Sequence, residues 1–355
     1  MLNFKIVFLL MTTLFVTALN CSLNKQSKVD ELFKAYSGND VPGAAVAVIR
    51  HDSLILAKGY GMANLEEHIP VQPNTNFRLA SVTKQFTALC IMMLVERGKL
   101  SFDRTLKQIF PEFPDYGKQI TIRDILHHTS GLVAYEDLIP DTATVQVLDK
   151  DVLEMMMAQD STYFPPGSDY RYSNTGYAVL AMVIEKISGK SFAKFLKENI
   201  FDPLGMTETV AYEKNISTVN HRAYGYTLKN GEFVFTDQSI TSAVLGDGGI
   251  YSSISDMYKW NQALYTQKLV SAEMLKLAFT PGAKTNGDSL DYGFGWRIDK
   301  YHGLHRVHHT GSTMGFRNVI QRFPDEHSAV IILTNRNDPG VADLANQLVD
   351  LYLLP

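Results

Sequence analysis

The sequence predicts a mixed α/β fold (α+β): an antiparallel sheet built from both ends of the chain, flanked by helices, with a mostly helical region inserted between its halves. Three observations lead there. Two apolar strand-like runs lie near the start, Gly43 to Ile49 and Leu54 to Tyr60. Further strand signals crowd the last part of the chain. The middle third carries mainly helical patterns, with no internal repeat and no low-complexity segment.

The elements follow in order. His51-Asp52-Ser53 turns the first strand into the second, giving a hairpin. Ser81 to Arg97 reads as an apolar helix that Gly98 stops. Helical patterns then cover Thr121 to His127, Lys150 to Ala158, Tyr177 to Ile187 closing at Gly189, and Ser191 to Asn199. Asn230-Gly231, between Tyr226-Thr227-Leu228 and Phe233-Val234-Phe235, signals a tight hairpin because both residues tolerate positive φ. The last strands are Gly295 to Ile298, His305 to Thr310, Phe316 to Phe323 and Ala329 to Thr334, with Pro324-Asp325-Glu326 turning between the final pair. A helix over Val341 to Leu353 closes the chain.

Composition narrows the function classes. The 355 residues suggest two domains at ~150 residues each. With 33 Lys+Arg against 37 Asp+Glu and no long basic run, nothing supplies the positive face that nucleic acid requires. An apolar fraction of 45% is ample for a core. Two cysteines make neither a disulfide framework nor a four-thiolate zinc site, and Cys90, in an apolar helical run, reads as a small buried hydrophobe. The boundaries expected are a signal sequence at 1–20, a polar tether at 21–29, a sheet-and-helix domain from 30–80 and 220–355, and the helical insertion at 81–219.

At the amino end, Lys5 precedes the apolar run Ile6 to Leu19, too short to span a bilayer but suited to a secretory leader. Cys21 follows it, ahead of a polar stretch, which resembles a bacterial lipoprotein cleavage site; Asn20 departs from the small residue usual there. A lipid tether on Cys21, ordinary secretion and a retained anchor all fit. Each places the folded part outside the cytoplasm, in the periplasm or cell envelope.

Three short elements carry candidate chemistry. Ser-x-x-Lys occurs three times, but only Ser81-Val82-Thr83-Lys84 opens an apolar helix, where serine and lysine share one face. A partly desolvated ammonium beside a serine has its neutral form favoured and then accepts the hydroxyl proton. Backbone N–H groups at such a helix start support an oxyanion. Tyr172-Ser173-Asn174, after the turn Pro165-Pro166-Gly167-Ser168, is expected on a held loop, where the tyrosine relays protons and the Asn174 amide bonds a substrate amide. His309-Thr310-Gly311-Ser312 ends a strand-like run: Gly311 would let a substrate backbone approach the strand edge, and the Ser312 N–H would complete an oxyanion pair with that of Ser81.

In this order the three elements resemble those of the penicillin-recognising serine hydrolases, the family of class C β-lactamases, D,D-peptidases and related esterases. Further segments resemble the family's recurring ones: Val41-Pro42-Gly43-Ala44 with Gly59-Tyr60-Gly61, Leu126 to Leu132, Phe201 to Met206, Gly248 to Ser253, and Tyr292 to Trp296. The resemblance spans about residues 30 to 335. It implies a β-lactamase/transpeptidase-like sheet with a helical domain inserted and the site between them. It also implies Ser81 as nucleophile, Lys84 as its base, Tyr172 as proton shuttle to the leaving group, and Asn174 as partner of the acyl-side amide. His309, Thr310 and Gly311 would dock the substrate, a peptide or small molecule, with no cofactor. Many β-lactamases carry lysine where this chain has His309, so peptidase or esterase action ranks above efficient β-lactam hydrolysis.

Other readings fare less well. His302, His305, His308 and His309 invite a metal, but no His-Glu-x-x-His and no accompanying carboxylate pattern supports one. His127 and His128 read as structural, ordering the Thr129-Ser130-Gly131 turn. No Gly-x-Ser-x-Gly is present for an α/β-hydrolase. A non-hydrolytic penicillin-binding sensor or cell-envelope binding module is the alternative in which the serine acylates without turning over.

Overall fold

The structure is a computed structural model that describes residues 25–354 apart from 339. The expected leader and Cys21 lie outside the described residues. Among those described, no helix is long and apolar enough to cross a membrane.

Residues 25–32 form helix α1. The tether expected at 21–29 is therefore helical from residue 25, and Val29 is fully buried because it packs with Phe33 against the sheet. The six strands of that sheet are β1 (Ala44–Arg50), β2 (Ser53–Tyr60), β3 (Arg297–Tyr301), β4 (Leu304–Thr313), β5 (Phe316–Phe323) and β6 (Ser328–Thr334). Their spatial order is β3-β4-β5-β6-β1-β2, every pair antiparallel. The two ends of the chain meet at β1 and β6, where Ala44 pairs with Thr334 and Ile49 with Ala329.

Alternation explains why β1 is apolar throughout. Ala44, Val46 and Val48 face a layer made by α1 and the closing helix, while Ala45, Ala47 and Ile49 face the main core. A sheet covered on both faces leaves its central strands no polar side.

The helical layer holds α2 (Lys84–Glu96), entered through a 3₁₀ turn at Ala80–Thr83. Then come α3 (Ile122–Leu126), α4 (Asp149–Met157), α5 (Asn174–Ser188), the short α6 (Leu245–Gly248) and α7 (Ile254–Ala263), while the closing α8 (Val341–Tyr352) packs with α1 on the opposite face of the sheet. Helix α2 is buried from Lys84 to Leu94, which is why its sequence shows no polar stripe. Helix α5 begins earlier than expected: Ser173 is its N-cap, accepting from the Gly176 N–H at 3.1 Å, and Gly189 ends it at φ +69°. Asn174 is thus the first residue of a helix rather than part of a loop. The Asn230-Gly231 hairpin forms as its sequence predicts, with φ of +51° and +88°.

Candidate active site

The 3₁₀ turn that carries Ser81 is pinned from several sides. The Leu79 N–H donates to the Ile250 carbonyl at 2.8 Å, and Asn318 of β5 donates to the Arg78 carbonyl at 2.8 Å. Arg78, itself buried, donates to the carbonyls of Ser242 (2.7 Å) and Gly248 (3.3 Å). Between these anchors Ala80 is held at φ +49°, a left-handed conformation that costs a non-glycine residue about 1–3 kcal/mol and persists only where its surroundings enforce it.

Lys84 lies one turn on and is fully buried. Its Nζ is 3.2 Å from Ser81 Oγ, 2.8 Å from Asn174 Oδ1 and 2.9 Å from the Asp247 carbonyl. Asn174 is oriented in turn by Glu136, whose Oε1 accepts from its Nδ2 at 2.7 Å. Helix α6, which presents the Asp247 carbonyl, is held at its start by Asp149, which accepts from the N–H groups of Leu245 (2.8 Å) and Gly246 (2.9 Å). Burial first, and the neighbouring Asp247 carboxylate, push Asp149 up to about 8 against the pull of those two amides. Burial likewise lifts Asp247 to about 6, opposed by Lys84.

Ser81 opens onto a cleft lined by Glu136, Asn174, Thr241, Asp247, Ser312 and Thr313, with Arg78 and Tyr135 in its wall. Strand β3 stops pairing at Arg297 opposite His308, so the segment of β4 from residue 309 onward has a free edge toward the Ser81 turn.

The sequence-predicted residues fare differently here. Ser81, Asn174 and Ser312 share the cleft, with Lys84 beneath. The ring of Tyr172 lies over Lys84, with Nζ 5.0 Å from its centroid. The Tyr172 hydroxyl is buried and has no hydrogen-bond partner among the described residues.

His309 has both ring nitrogens engaged within the protein. It is buried, its Nδ1–H donates to the Thr310 carbonyl at 2.7 Å, and its Nε2 accepts from the Tyr292 hydroxyl at 3.0 Å. Burial, then the Lys84 charge, hold it well below the usual imidazole value, so the ring is neutral. Thr310 spends its carbonyl on that ring and pairs with Val319 of β5. Gly311 is required by the protein itself: a Cβ there would sit 2.1 Å from the Leu79 carbonyl oxygen. The segment entering the Ser81 turn thus makes a close approach to Gly311 of its own. His302, His305 and His308 diverge to separate carboxylates, Asp350, Asp325 and Asp299. Among the described residues no three ligand-type side chains converge as a metal would require.

Glu136, Asp247 and Arg78 escaped the sequence reading. Glu136 follows the Leu126-to-Leu132 segment by four residues, and Asp247 precedes Gly248-Gly249 by one. Only their adjacency to those segments marked them.

Comparison with known proteins agrees with this architecture. The beta-lactamase family model matches residues 29–354. Penicillin-binding protein 4* of Bacillus subtilis (strain 168) is 34% identical over 331 residues, covering 89% of this chain and 73% of its own. The solved penicillin binding protein from Bacillus halodurans superposes with a TM-score of 0.78 at 28% identity, over 92% of this chain and 98% of that one. D-amino acid amidase from Ochrobactrum anthropi SV3 gives the same TM-score at 22% identity, with coverage of 92% and 98%, and shares the fold.

Proposed function

We propose, from the premise that this chain belongs to the beta-lactamase family, whose members include serine hydrolases of amide and ester bonds, that it hydrolyses its substrate through an acyl-enzyme on Ser81. The observation that carries this is the setting of the Lys84 amine. In its neutral form the amine has two N–H bonds and one lone pair. Two carbonyl oxygens, of Asn174 and Asp247, stand at 2.8 and 2.9 Å to take the N–H bonds, which leaves the lone pair for the Ser81 hydroxyl at 3.2 Å.

Ser81 Oγ attacks the substrate carbonyl carbon while its proton passes to Lys84 Nζ. The oxyanion takes hydrogen bonds from the backbone N–H groups of Ser81 and Ser312. The bond to the leaving group breaks as a proton reaches that group, with the Tyr172 hydroxyl, unpartnered among the described residues, as the relay. Water then attacks the ester on Ser81, gives up its proton through the same groups and frees the acid.

The charge within reach of the cleft sets the preference. His309 is neutral and buried, Arg78 in the cleft wall turns Nε and Nη2 onto backbone carbonyls with Nη1 unpartnered among the described residues, and Glu136 brings a carboxylate to the wall. Uncharged or amine-bearing substrates are favoured over those that need a cation at position 309. Peptide or ester cleavage of the D-amino-acid type therefore ranks above β-lactam turnover. The proposed setting is the cell envelope, on the strength of the apolar leader.

A substrate panel on the purified protein tests the reading: a short-chain p-nitrophenyl ester, a D-amino acid amide, a D-alanyl-D-alanine peptide and a cephalosporin. Turnover fastest on the ester or the amide, and lost in Ser81→Ala, is the expected result. A penicillin adduct without turnover of any member would select the binding-sensor alternative.

A further inference from the structure

Both backbone amides that flank Tyr172 end on one residue. The Arg171 N–H donates to the His128 carbonyl at 3.0 Å, and the Ser173 N–H donates to Nδ1 of the His128 ring at 3.1 Å. An amide N–H only donates, so Nδ1 carries the lone pair and the ring proton sits on Nε2. His128 is fully buried, with its ring against those of Tyr172 (4.3 Å between centroids), Tyr292 (4.5 Å) and Tyr177 (5.1 Å). Its backbone stands at φ +61°, a region that histidine, asparagine and aspartate enter more readily than other non-glycine residues.

We propose that His128 is the positioning residue of the site: its carbonyl and its Nδ1 clip the segment Tyr172-Ser173-Asn174 in place over Lys84. The sequence reading had this histidine ordering the turn that follows it. The bonds run instead to the segment that supplies the ring over the Lys84 ammonium and, two residues further on, the Asn174 oxygen at 2.8 Å from it. The clip is a property of the fold. Its catalytic consequence rests on the hydrolase reading above.

A histidine that merely fills space is replaceable by a side chain of similar bulk at the cost of the positive φ alone, with the Ser173 amide still protected, whereas a clip needs an acceptor for that amide. Asparagine places Oδ1 the same number of bonds from Cα as Nδ1 and tolerates positive φ; leucine fills the volume and accepts nothing. In the full-length protein, His128→Leu is expected to lower kcat on p-nitrophenyl butyrate by about a hundredfold with KM changed less than about threefold, and to speed hydrogen exchange at the Ser173 amide. His128→Asn is expected to keep that amide protected and kcat within about fivefold of wild type.

Wild-type kcat and exchange in the leucine variant would overturn the proposal, as would an asparagine variant that fails like leucine. If the leucine variant does not fold, Ser173 protection in the asparagine variant decides alone: kept, it supports the clip; lost, it overturns it. A wild-type protein without ester turnover would strike the hydrolase reading, and the Ser173 exchange rates would still judge the clip.

Discussion

The hydroxyl of Tyr292 donates to Nε2 of His309 over 3.0 Å, while the opposite nitrogen of the same ring donates to the Thr310 carbonyl. Both ring nitrogens are thereby committed, and the imidazole acts as a neutral strut between β4 and the segment before β3. Removing one partner leaves a buried acceptor without a donor. Tyr292→Phe should therefore lower the unfolding free energy by about 1–3 kcal/mol in urea titration. Unchanged stability would contradict the bond.

Two buried histidines, His128 and His309, and two half-buried ones, His127 and His308, make stability depend on acid. Burial draws His127 and His308 down to about 4, and holds His128 and His309 well below 6.5. Between about pH 4 and 6.5 the unfolded chain binds protons at these rings that the folded chain refuses, so their contribution to stability grows with pH and levels off above the window. The raised carboxyls of Asp149 and Asp247 work in the opposite direction. The clean comparison is a difference: relative to His127→Gln, the wild type should gain stability from pH 4 to 6.5. A difference independent of pH would refute the assignment.

Gly311 and the Ser81 turn are packed without room for a methyl group, the built Cβ meeting Leu79 backbone oxygen at 2.1 Å. Gly311→Ala should cost about 1–3 kcal/mol of stability and push the turn out of place, lowering activity as well. Wild-type melting and turnover together would show that the contact is slack.

Much of the scaffold was legible because it rests on local signals. Phe316 to Phe323 forms a strand of the expected bounds, Asn230-Gly231 turns its hairpin, and Gly189 stops its helix. Two kinds of signal were not legible, a local cap outweighed by nearby turn residues and the long-range partner. Asn174 was placed on a loop because the serine cap before it was not weighed against the turn residues upstream. Nothing in the sequence shows that residue 79 passes against Gly311, so its need for a missing side chain within the fold itself was not legible. Nothing local shows that the His309 ring is buried between the Tyr292 hydroxyl and the Thr310 carbonyl, because Tyr292 reaches it only through the fold. Glu136 was missed because its one specific partner, Asn174, lies 38 positions away.

Glu136 provides the test of substrate charge. Glu136→Gln keeps an oxygen for Asn174 and removes the carboxylate from the cleft. The ratio of kcat/KM for a neutral ester to that for an anionic one should fall by about tenfold, the equivalent of ~1.4 kcal/mol. An unchanged ratio would mean that the carboxylate does not sense the substrate.

Hydrolysis by this site requires the alcohol at position 81 to become covalently bound. Intact-protein mass spectrometry after brief exposure to a slow-turnover ester or a penicillin, followed by peptide mapping, measures this directly. The expected result is one acyl adduct on the peptide containing Ser81, decaying with time and absent from Ser81→Ala and Lys84→Met. Hydrolysis of the ester that survives in Ser81→Ala, or an adduct mapping to another residue, would contradict it.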